Sequence, residues 1–485
     1  MRAVLLIDFG STHTKVLAID LDAERVVGRS QAVTTVESDI TSGLNRALDT
    51  LFSSRALDES DVVEKYASSS AAGGLRLGTI GLVPALTLEA ARRAALGAGA
   101  KVVWSSGYEI DEDKLAELQA AACDIVLLSG GTDGGDKTVI THNARMLAAS
   151  PLDVPIVVAG NRSAAQQVGR ILEAAGKSVV VTSNVLPELD TLNVEPTQDA
   201  VRDIFMKRIT QAKGLARAQA YVGDIVMPTP KATLQAARLL ADGAGDEAGI
   251  GPLLVVEVGG ATINIHSVAD GTPSDASTLV RGLPETRVKR TVEGDLGIRY
   301  NAPTLLDFIG VDRCVARLRA LLPRAEPDAD AVTARIDALS RNVGFAPQDD
   351  LDHAIDRVLA ESAIAFAVGR HAGTLKHEHT LAGEVKVQKG KDLTRTAHVV
   401  GTGGIFKYGR CARQLLDAAL FDAAQPWSLR PAAPQAWIDA EYLMYGIGLL
   451  AEAHPAAALR VIKRSLVPLA SSKQRCSGGS GMDTA

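Results

Sequence analysis

The sequence predicts an α/β protein made of two related lobes that face each other across a cleft. Short apolar runs alternate with Ala- and Leu-rich helical stretches, which is typical of α/β proteins. Residues 5–19 and 254–268 share one plan, in which an apolar strand, an acidic residue, a glycine turn with threonine and a second apolar strand follow one another. The length of 485 residues exceeds what one ordinary core supports.

The N-terminal half opens on a hairpin. Residues 3–7 and 16–19 are apolar runs on either side of a Gly/Ser/Thr turn, so we expect two antiparallel strands. Helical patterns follow at 41–52 and 86–97. Further apolar runs predict strands at 101–104, 124–128, 155–159 and 178–181.

The C-terminal half repeats the hairpin and adds helix. Residues 197–213 place their apolar residues on one helical face, and the second strand-turn-strand unit occupies 253–268. Residues 303–380 predict mostly helix. A third glycine turn lies at 401–404, and a last helical pattern covers 437–466.

These elements predict how the chain divides. We expect an N-terminal lobe at 1–190 and a C-terminal lobe at 191–470, with a helical insertion at about 300–385. The Gly- and Ser-rich residues 471–485 predict a disordered tail.

Composition limits the classes of function. With 46% hydrophobic and 22% charged residues the chain is of the globular type, and a formal net charge of -6 argues against a nucleic-acid partner. The four cysteines form no CxxC pair, which argues against a disulfide framework or a zinc ribbon. We find neither a signal-like N-terminus nor an apolar run long enough for a bilayer, so we expect a cytoplasmic protein without a membrane partner.

The first glycine turn carries groups that bind phosphate. Gly10 lets backbone N–H groups approach closely, and Lys15 adds a cation that can reach the β- and γ-phosphates. Asp8 is suited to hold Mg²⁺ through water, because magnesium keeps several waters and takes few carboxylates. Hydroxyl donors come from Ser11, Thr12 and Thr14.

Two later turns complete the pattern. Glu257 is the acidic partner of the second turn, so two hairpins can clamp one phosphate chain from both sides. The phosphate-facing residues of that turn are Gly259, Gly260 and Thr262. The third turn, at 401–404, offers backbone against which adenosine can lie. One such turn is usually no more than a turn, whereas three in this order favour a nucleotide site. The Walker and dinucleotide loops are excluded, because neither spacing is present.

The three turns resemble the nucleotide motifs of a known superfamily. The segments DFGSTHTK at 8–15, EVGGATIN at 257–264 and GTGG at 401–404 are similar to the first phosphate, second phosphate and adenosine motifs of actin, DnaK-type chaperones and sugar kinases. The resemblance implies the actin-like ATPase fold, in which two related RNase H-like lobes enclose a nucleotide cleft.

The resemblance also implies roles for individual residues. Asp8, Lys15 and Glu257 would be catalytic, and the two carboxylates would hold the metal. Nucleotide contacts would come from Gly10, Ser11, Thr12, Thr14, Lys15, Gly259, Gly260, Thr262, Gly401, Gly403 and Gly404. The wider superfamily has aspartate in place of Glu257, which bears on how water is positioned. The chaperones have an acidic residue in place of Asn264, so this cleft holds less negative charge.

A narrower resemblance concerns other segments. Four segments are together similar to the MutL family of glutamate mutase accessory proteins. They are LLSGGTDGGDK at 127–137, LDTLNVEPT at 189–197, EVGGAT at 257–262 and VEGDLGIRY at 292–300. This family is distinct from the mismatch-repair protein of the same name. The resemblance extends from about residue 3 to about residue 465.

The MutL resemblance implies a chaperone-like ATPase. Such a reactivating factor uses ATP and Mg²⁺ to release damaged cobalamin from an adenosylcobalamin-dependent mutase of the glutamate mutase or aminomutase type. Its partners would be ATP or ADP and the mutase, and a homo-oligomer stays open. We expect slow intrinsic hydrolysis that the mutase stimulates.

Several residues have two interpretations. Thr132, Asp133 and Asp136 of the SGGTDGGD loop either contact nucleotide, metal or partner, or form a glycine turn with Asp136 as a helix N-cap. The HEH segment at 377–379 favours a solvated strip over a metal site, since no fourth ligand is in view. A final set either lines the cleft or forms surface ion pairs, namely Glu293, Asp295 and Arg299.

Three other functions compete with a reactivating ATPase. A small-molecule kinase of the same fold would need an aspartate as base toward a substrate hydroxyl. An iron–sulfur activator of dehydratases would need close cysteines at a dimer axis, which the scattered cysteines do not favour. A nucleotide-binding filament or scaffold protein would lack any remodelling activity.

Overall fold

Two mixed sheets, each carrying one of the predicted hairpins, organise the structure. The computed structural model describes residues 1–10, 13–34, 40–53, 57–69, 75–209, 221–223, 225–380 and 383–470. Strands of the first sheet run in the order Ile225–Pro228, Val62–Ser69, Ala3–Phe9, His13–Asp20 and Arg25–Val33. Strands of the second sheet run in the order Leu466–Pro468, Gln435–Asp439, His398–Thr402, Leu253–Val258, Ile263–Val268 and Val288–Glu293.

The two sheets share one plan. In each, the strand that enters the glycine turn pairs antiparallel with the strand that leaves it and parallel with a strand on its other side. Every residue of Ala3–Phe9 and of Leu253–Val258 is buried, because both faces of these central strands are covered. The predicted α/β class with two related units is confirmed.

Two helices fill the space between the sheets. The bridging helix, Thr229–Asp242, and the crossing helix, Met444–Leu450, share a core with residues of both sheets, among them Leu6 and Val255. The two helices touch backbone to backbone at Gly448, where a Cβ would overlap the main chain of the bridging helix. Glycine at this position therefore permits the close helix crossing.

A parallel sheet is inserted before the last strand of the first sheet. Its strands run in the order Lys101–Gly107, Arg76–Gly81, Ile125–Leu128, Ile156–Val158 and Val179–Val181. The helices of this segment are Glu89–Gly97, Glu112–Ala120, Thr138–Ala149, Arg162–Ala174 and Glu195–Ile209. Because Ile225–Pro228 returns to the first sheet, residues beyond 190 contribute to that sheet, and the lobe boundary at 190 stays a prediction.

The segment predicted as a helical insertion packs on the second sheet. Its helices are Ala302–Ile309, Val311–Leu321, Ala329–Arg341 and Asp350–His371. The prediction of helix as far as 380 is wrong, since Thr374–Thr380 is a strand that pairs with Gly383–Lys389, beside Leu279–Val280. Pairing with a distant partner overrides the local pattern here.

The last predicted helical pattern, 437–466, is also wrong at its start. Residues Gln435–Asp439 form a strand because they pair in parallel with His398–Thr402. Helix follows at Met444–Leu450 and Pro455–Ser465. The remaining elements are the α-helices Ile40–Ser53, Gly404–Tyr408 and Ala412–Asp417, the short helical turns Glu59–Asp61 and Pro84–Leu88, and the short pair Gly243–Ala244 and Glu247–Ala248. The predicted residues 210–213 and 471–485 lie outside the described residues.

A buried histidine predicts an acid-sensitive fold. His371 is fully buried between the hydroxyls of Ser267 and Thr291, at 2.8 and 2.9 Å. Burial, reinforced by the charge of Lys289, lowers its pKa well below the ordinary 6.5. Below about pH 6.5 this histidine is therefore protonated in the unfolded chain but neutral in the folded chain. The free energy of unfolding then falls by about 1.4 kcal/mol per pH unit for one histidine as the pH drops.

The variant His371→Gln is expected to flatten this dependence. Melting temperatures measured from pH 7 to pH 5 should fall less steeply than for the wild type, while the exposed His379→Gln control should match the wild type. Part of the slope remains in His371→Gln, because burial also lowers the pKa of His266. Equal slopes for His371→Gln and the wild type would contradict this role.

Candidate functional site

A cavity of about 570 Å³ lies where the two hairpins face each other. Both central strands end at it, and their next-to-last residues, Asp8 and Glu257, line the same space. The other predicted site residues in its wall are Gly10, Lys15, Gly259, Gly260, Thr262 and Gly404. The structure therefore brings together residues that lie up to about four hundred positions apart in the sequence.

The register of the first hairpin places Lys15 opposite Asp8. The Lys15 Nζ donates to Asp8 Oδ2 at 3.0 Å. The other oxygen, Oδ1, accepts from Thr229 at 2.6 Å and from Ser68 at 3.3 Å. Asp8 is thus buried at the cavity wall with a donor on each oxygen. The sequence pattern did not single out Thr229 or Ser68, because both reach Asp8 from distant strands and helices.

Two tyrosines from the region after the strand Gln435–Asp439 lie around Lys15. Its Nζ lies 4.8 Å from the ring centroid of Tyr442 and 5.2 Å from that of Tyr445, and 3.4 Å from the Tyr442 hydroxyl. Burial would lower the pKa of Lys15, but Tyr442 and Asp8 outweigh burial and hold that pKa above its usual range. Lys15 is therefore a permanent cation whose side chain is still 20% exposed to the cavity.

Tyr442 has an unusual backbone. Its φ is +57°, in the left-handed region that residues other than glycine rarely adopt. The strand-end residue Asp439 fixes this bend, because its carboxylate accepts from the backbone N–H of Leu443 and Met444 at 2.9 and 3.0 Å. The bend turns the Tyr442 ring toward Lys15. Strained residues of this kind cluster at functional sites.

Glu257 is held from two sides. Its Oε1 accepts from Thr233 at 3.2 Å, and its Oε2 is 3.2 Å from His266 Nε2. Burial would raise the pKa of Glu257, but the hydrogen bond from His266 and the charge of Arg290 lower it. Glu257 is therefore ionised, and the Nε2 of His266 carries the donated proton. Both carboxylate oxygens of Glu257 already accept hydrogen bonds from the protein, so Glu257 is not arranged as a simple direct metal ligand.

Asn264 connects the cavity to the inserted sheet. Its Oδ1 accepts from Arg290 at 2.7 Å, and the same guanidinium donates to the carbonyl oxygens of Leu96 and Ala100 at 2.8 and 3.1 Å. Burial lowers the pKa of Arg290 to about 10. An acidic residue at 264 would add a second negative charge beside Glu257, and the amide avoids it.

The first two glycine turns leave no room for a side chain at Gly10 and Gly259. A Cβ at Gly10 would lie 2.6 Å from the carbonyl oxygen of His13, and one at Gly259 would lie 2.9 Å from that of Thr262. Gly404 faces open space, with no atom within 4 Å of its Cβ position among the described residues. Backbone therefore forms the cavity surface at all three turns.

Some predicted residues lie elsewhere. The Thr14 hydroxyl bonds that of Thr34 at 3.2 Å on the opposite face of the strand from Lys15, so the structure does not bring it to the cavity. Gly401 is packed under the ring of Phe406, and Gly403, at φ +110°, lies against the main chain of the second hairpin. These two glycines allow close packing within the third turn but do not line the cavity. The predicted Ser11 and Thr12 lie outside the described residues.

Part of the cavity wall comes from residues outside the two hairpins. Arg299 makes a bidentate pair with Asp356 at 2.8 Å for both bonds, and both residues line the cavity. Phe345 and Tyr408 add aromatic surface to the same region. Among these residues the sequence indicates only Arg299, as a cleft residue or a surface ion pair. Asp356, Phe345 and Tyr408 were missed because they share no motif. Glu293 and Asp295 instead pair with Arg370 and Lys101, outside the cavity wall.

The SGGTDGGD loop has a structural role that the sequence left open. Asp136 accepts from the backbone N–H of Val139 at 3.1 Å and so caps the helix that follows. Asp133 accepts from the N–H of Arg162 and from the Asn184 side chain at 2.8 and 2.9 Å. Thr132 and both aspartates lie outside the cavity lining.

The HEH segment lies on an exposed strand. His377 pairs with Glu384, and Glu378 pairs with Arg281. Across the described part of the chain, no group of three or more His, Cys, Asp or Glu side chains is arranged to hold a metal. The cavity residues fit a magnesium nucleotide in another way, with one carboxylate from each sheet, one cation and turns in which a side chain would fill the cradle.

The matching sheets, the helices between them and the cleft of glycine turns define a protein of the actin-like fold class. The model of the MutL protein family matches residues 4–466. Protein MutL of Clostridium tetanomorphum is 43% identical over 467 residues, which cover 96% of this chain and 100% of that protein. The chain therefore belongs to the MutL family, and the resemblance seen in the sequence is confirmed.

Comparison with solved structures gives weaker likenesses. A diol dehydratase-reactivating factor in nucleotide-free form is 12% identical, with a TM-score of 0.37, and the match covers 94% of this chain and 100% of that one. A ligand-bound xylulose kinase from Lactobacillus acidophilus is 10% identical, also with a TM-score of 0.37, over 97% and 93% of the two chains. Likeness at this level does not support a conclusion about function. Within the described residues, no helix has the length and apolar character needed to cross a membrane.

Proposed function

We propose that this protein binds ATP with Mg²⁺ in the cavity and uses hydrolysis to release damaged cobalamin from an adenosylcobalamin-dependent mutase of the glutamate mutase or aminomutase type. The observation that carries the proposal is the meeting of Asp8, Lys15 and Glu257 from two matching sheets at one cleft, in a chain of the MutL family. As the sequence predicts, the protein acts in the cytoplasm.

Each residue has a chemical task in this proposal. Lys15 binds the phosphates as a fixed cation, and the backbone of Gly10, Gly259 and Gly260 supplies donors without side chains in the way. Asp8 and Glu257 hold the magnesium through its waters, and the metal would neutralise the charge that develops on the phosphates. Hydrolysis removes the terminal phosphate that both hairpins contact, and this change biases the angle between the sheets.

The cavity gives less support to the kinase alternative. A kinase of this fold needs a carboxylate that can take a proton from a substrate hydroxyl. Among the described residues, the acidic groups in the wall are Asp8, Glu257 and Asp356, and each already accepts hydrogen bonds from protein donors. Transfer of phosphate to a sugar would nevertheless select the kinase.

A reactivation assay tests the proposal. The mutase is locked with an inactive cobalamin and mixed with this protein, ATP, Mg²⁺ and fresh coenzyme. We expect mutase activity to return, and corrinoid release to require ATP, because the client must be opened against its own binding energy. Equally fast corrinoid exchange without ATP would contradict the mechanism. ATP turnover that no mutase stimulates would favour the filament or scaffold alternative.

A further inference from the structure

The bridging helix donates to two carboxylates of the cavity wall, Asp8 and Glu257. Thr229, its first residue, donates to Asp8 at 2.6 Å, and Thr233, one turn later, donates to Glu257 at 3.2 Å. Asp8 lies on a strand of the first sheet, and Glu257 lies on a strand of the second. One helix therefore connects acidic groups that belong to different sheets.

The spacing of the two threonines is fixed by the helix itself. Residues four apart lie on one face and are separated by about 6 Å along the axis. Threonine also restricts χ1, so its hydroxyl direction is set when its methyl group packs in a core. Both threonines are buried, and Ala232 and Ala236 on the same helix are fully buried in the core between the sheets. The helix can therefore act as a rigid spacer.

We propose that Thr229 and Thr233 are positioning residues that set the separation of Asp8 and Glu257, so that the bridging helix holds the two sheets in register for a magnesium nucleotide. This inference rests on the proposed function and assigns a task that no motif in the sequence indicates. Neither threonine touches the nucleotide in this scheme, because each acts through a carboxylate.

The valine and serine variants separate positioning from packing. Valine keeps the shape of threonine and removes the hydroxyl, whereas serine keeps the hydroxyl. In Thr229→Val, Asp8 retains Lys15 and Ser68 as donors, and in Thr233→Val, Glu257 retains His266, so neither carboxylate is left without a partner. Both valine variants should therefore fold.

The measurement is direct binding of a fluorescent ADP over a range of Mg²⁺ concentrations, with the melting temperature recorded in parallel. We expect each valine variant to need about 10-fold more Mg²⁺ for half-maximal binding, since one hydrogen bond to a charged group is lost. The serine variants should bind at nearly the wild-type concentration. Thr197→Val is the matched control, because Thr197 is buried and lies outside the cavity wall.

The double variant tests the spacer directly. If one helix sets one separation, then Thr229→Val with Thr233→Val should shift the Mg²⁺ requirement little beyond the larger single shift. If the fold-change in Mg²⁺ requirement of the double variant equals the product of the two single fold-changes, the carboxylates act independently and the inference is overturned. Valine variants that melt lower but keep the wild-type Mg²⁺ requirement would also overturn it. A wild type that binds no ADP with Mg²⁺ would overturn the proposed function, and the spacer role with it.

Discussion

Replacing Lys15 with alanine is expected to lower ATP hydrolysis by on the order of 100-fold. Phosphoryl transfer depends mainly on positioning and electrostatic stabilisation, so the loss of a fixed cation at the phosphates removes a large part of the rate. Lys15 is suited to this task because Tyr442 and Asp8 hold its pKa above the usual range, so it is charged near neutral pH. The measurement is steady-state phosphate release, with saturating ATP and Mg²⁺.

The structure also indicates the controls for this variant. Removal of Lys15 leaves Asp8 with the hydroxyls of Ser68 and Thr229, and the loss of a buried charge pair lowers stability. Lys15→Met keeps the aliphatic stem between the tyrosine rings and is the second variant if Lys15→Ala does not fold. Lys137→Ala changes an exposed lysine outside the cavity and should hydrolyse ATP as the wild type does. Wild-type turnover in folded Lys15→Met would contradict the assigned role.

Replacing Gly448 with alanine is expected to destabilise the protein by about 3 kcal/mol. The new methyl group would overlap the main chain of the bridging helix at Ala232, and backbone cannot rotate away as a side chain can. The bridging and crossing helices must then separate within the core that joins both sheets. A loss of this size corresponds to about 3 °C in the melting temperature of a chain this large.

Gly404→Ala is the matched control for Gly448→Ala. Both glycines are in helices, but at Gly404 the described residues leave open space around the Cβ position. Its melting temperature should stay close to that of the wild type. A chain of this length changes its melting temperature by about 1 °C per kcal/mol. If Gly448→Ala melts within about 1 °C of Gly404→Ala, the close crossing does not contribute as described.

The sequence predicts most of the site's chemistry and little of its support. Asp8, Lys15 and Glu257 stand at strand ends next to glycine turns, which is a local pattern. Thr233, His266 and Tyr442 hold these residues, yet none of them stands in a motif. Their partners are set by how helices and sheets pack, which the order of residues does not show directly.

Long-range contacts also explain why some predictions from the sequence were wrong. Residues 374–380 have no local feature that separates strand from helix, and pairing with Gly383–Lys389 decides the outcome. Thr14 belongs to the first phosphate motif by resemblance, but strand alternation turns its hydroxyl away from Lys15 toward Thr34. The turn at 401–404 was found as a unit, whereas its glycines face different neighbours.

The α/β class, the two hairpins with one acidic residue each and the membership of the MutL family can all be inferred from the amino-acid sequence. Periodicity and short motifs carry this information, because they depend on neighbours within a few residues. The shared cavity of Asp8 and Glu257, and the helix that donates to both, become visible only in the folded chain. That outcome depends on the packing of two sheets against the bridging helix, and such long-range contacts are fixed by the whole core.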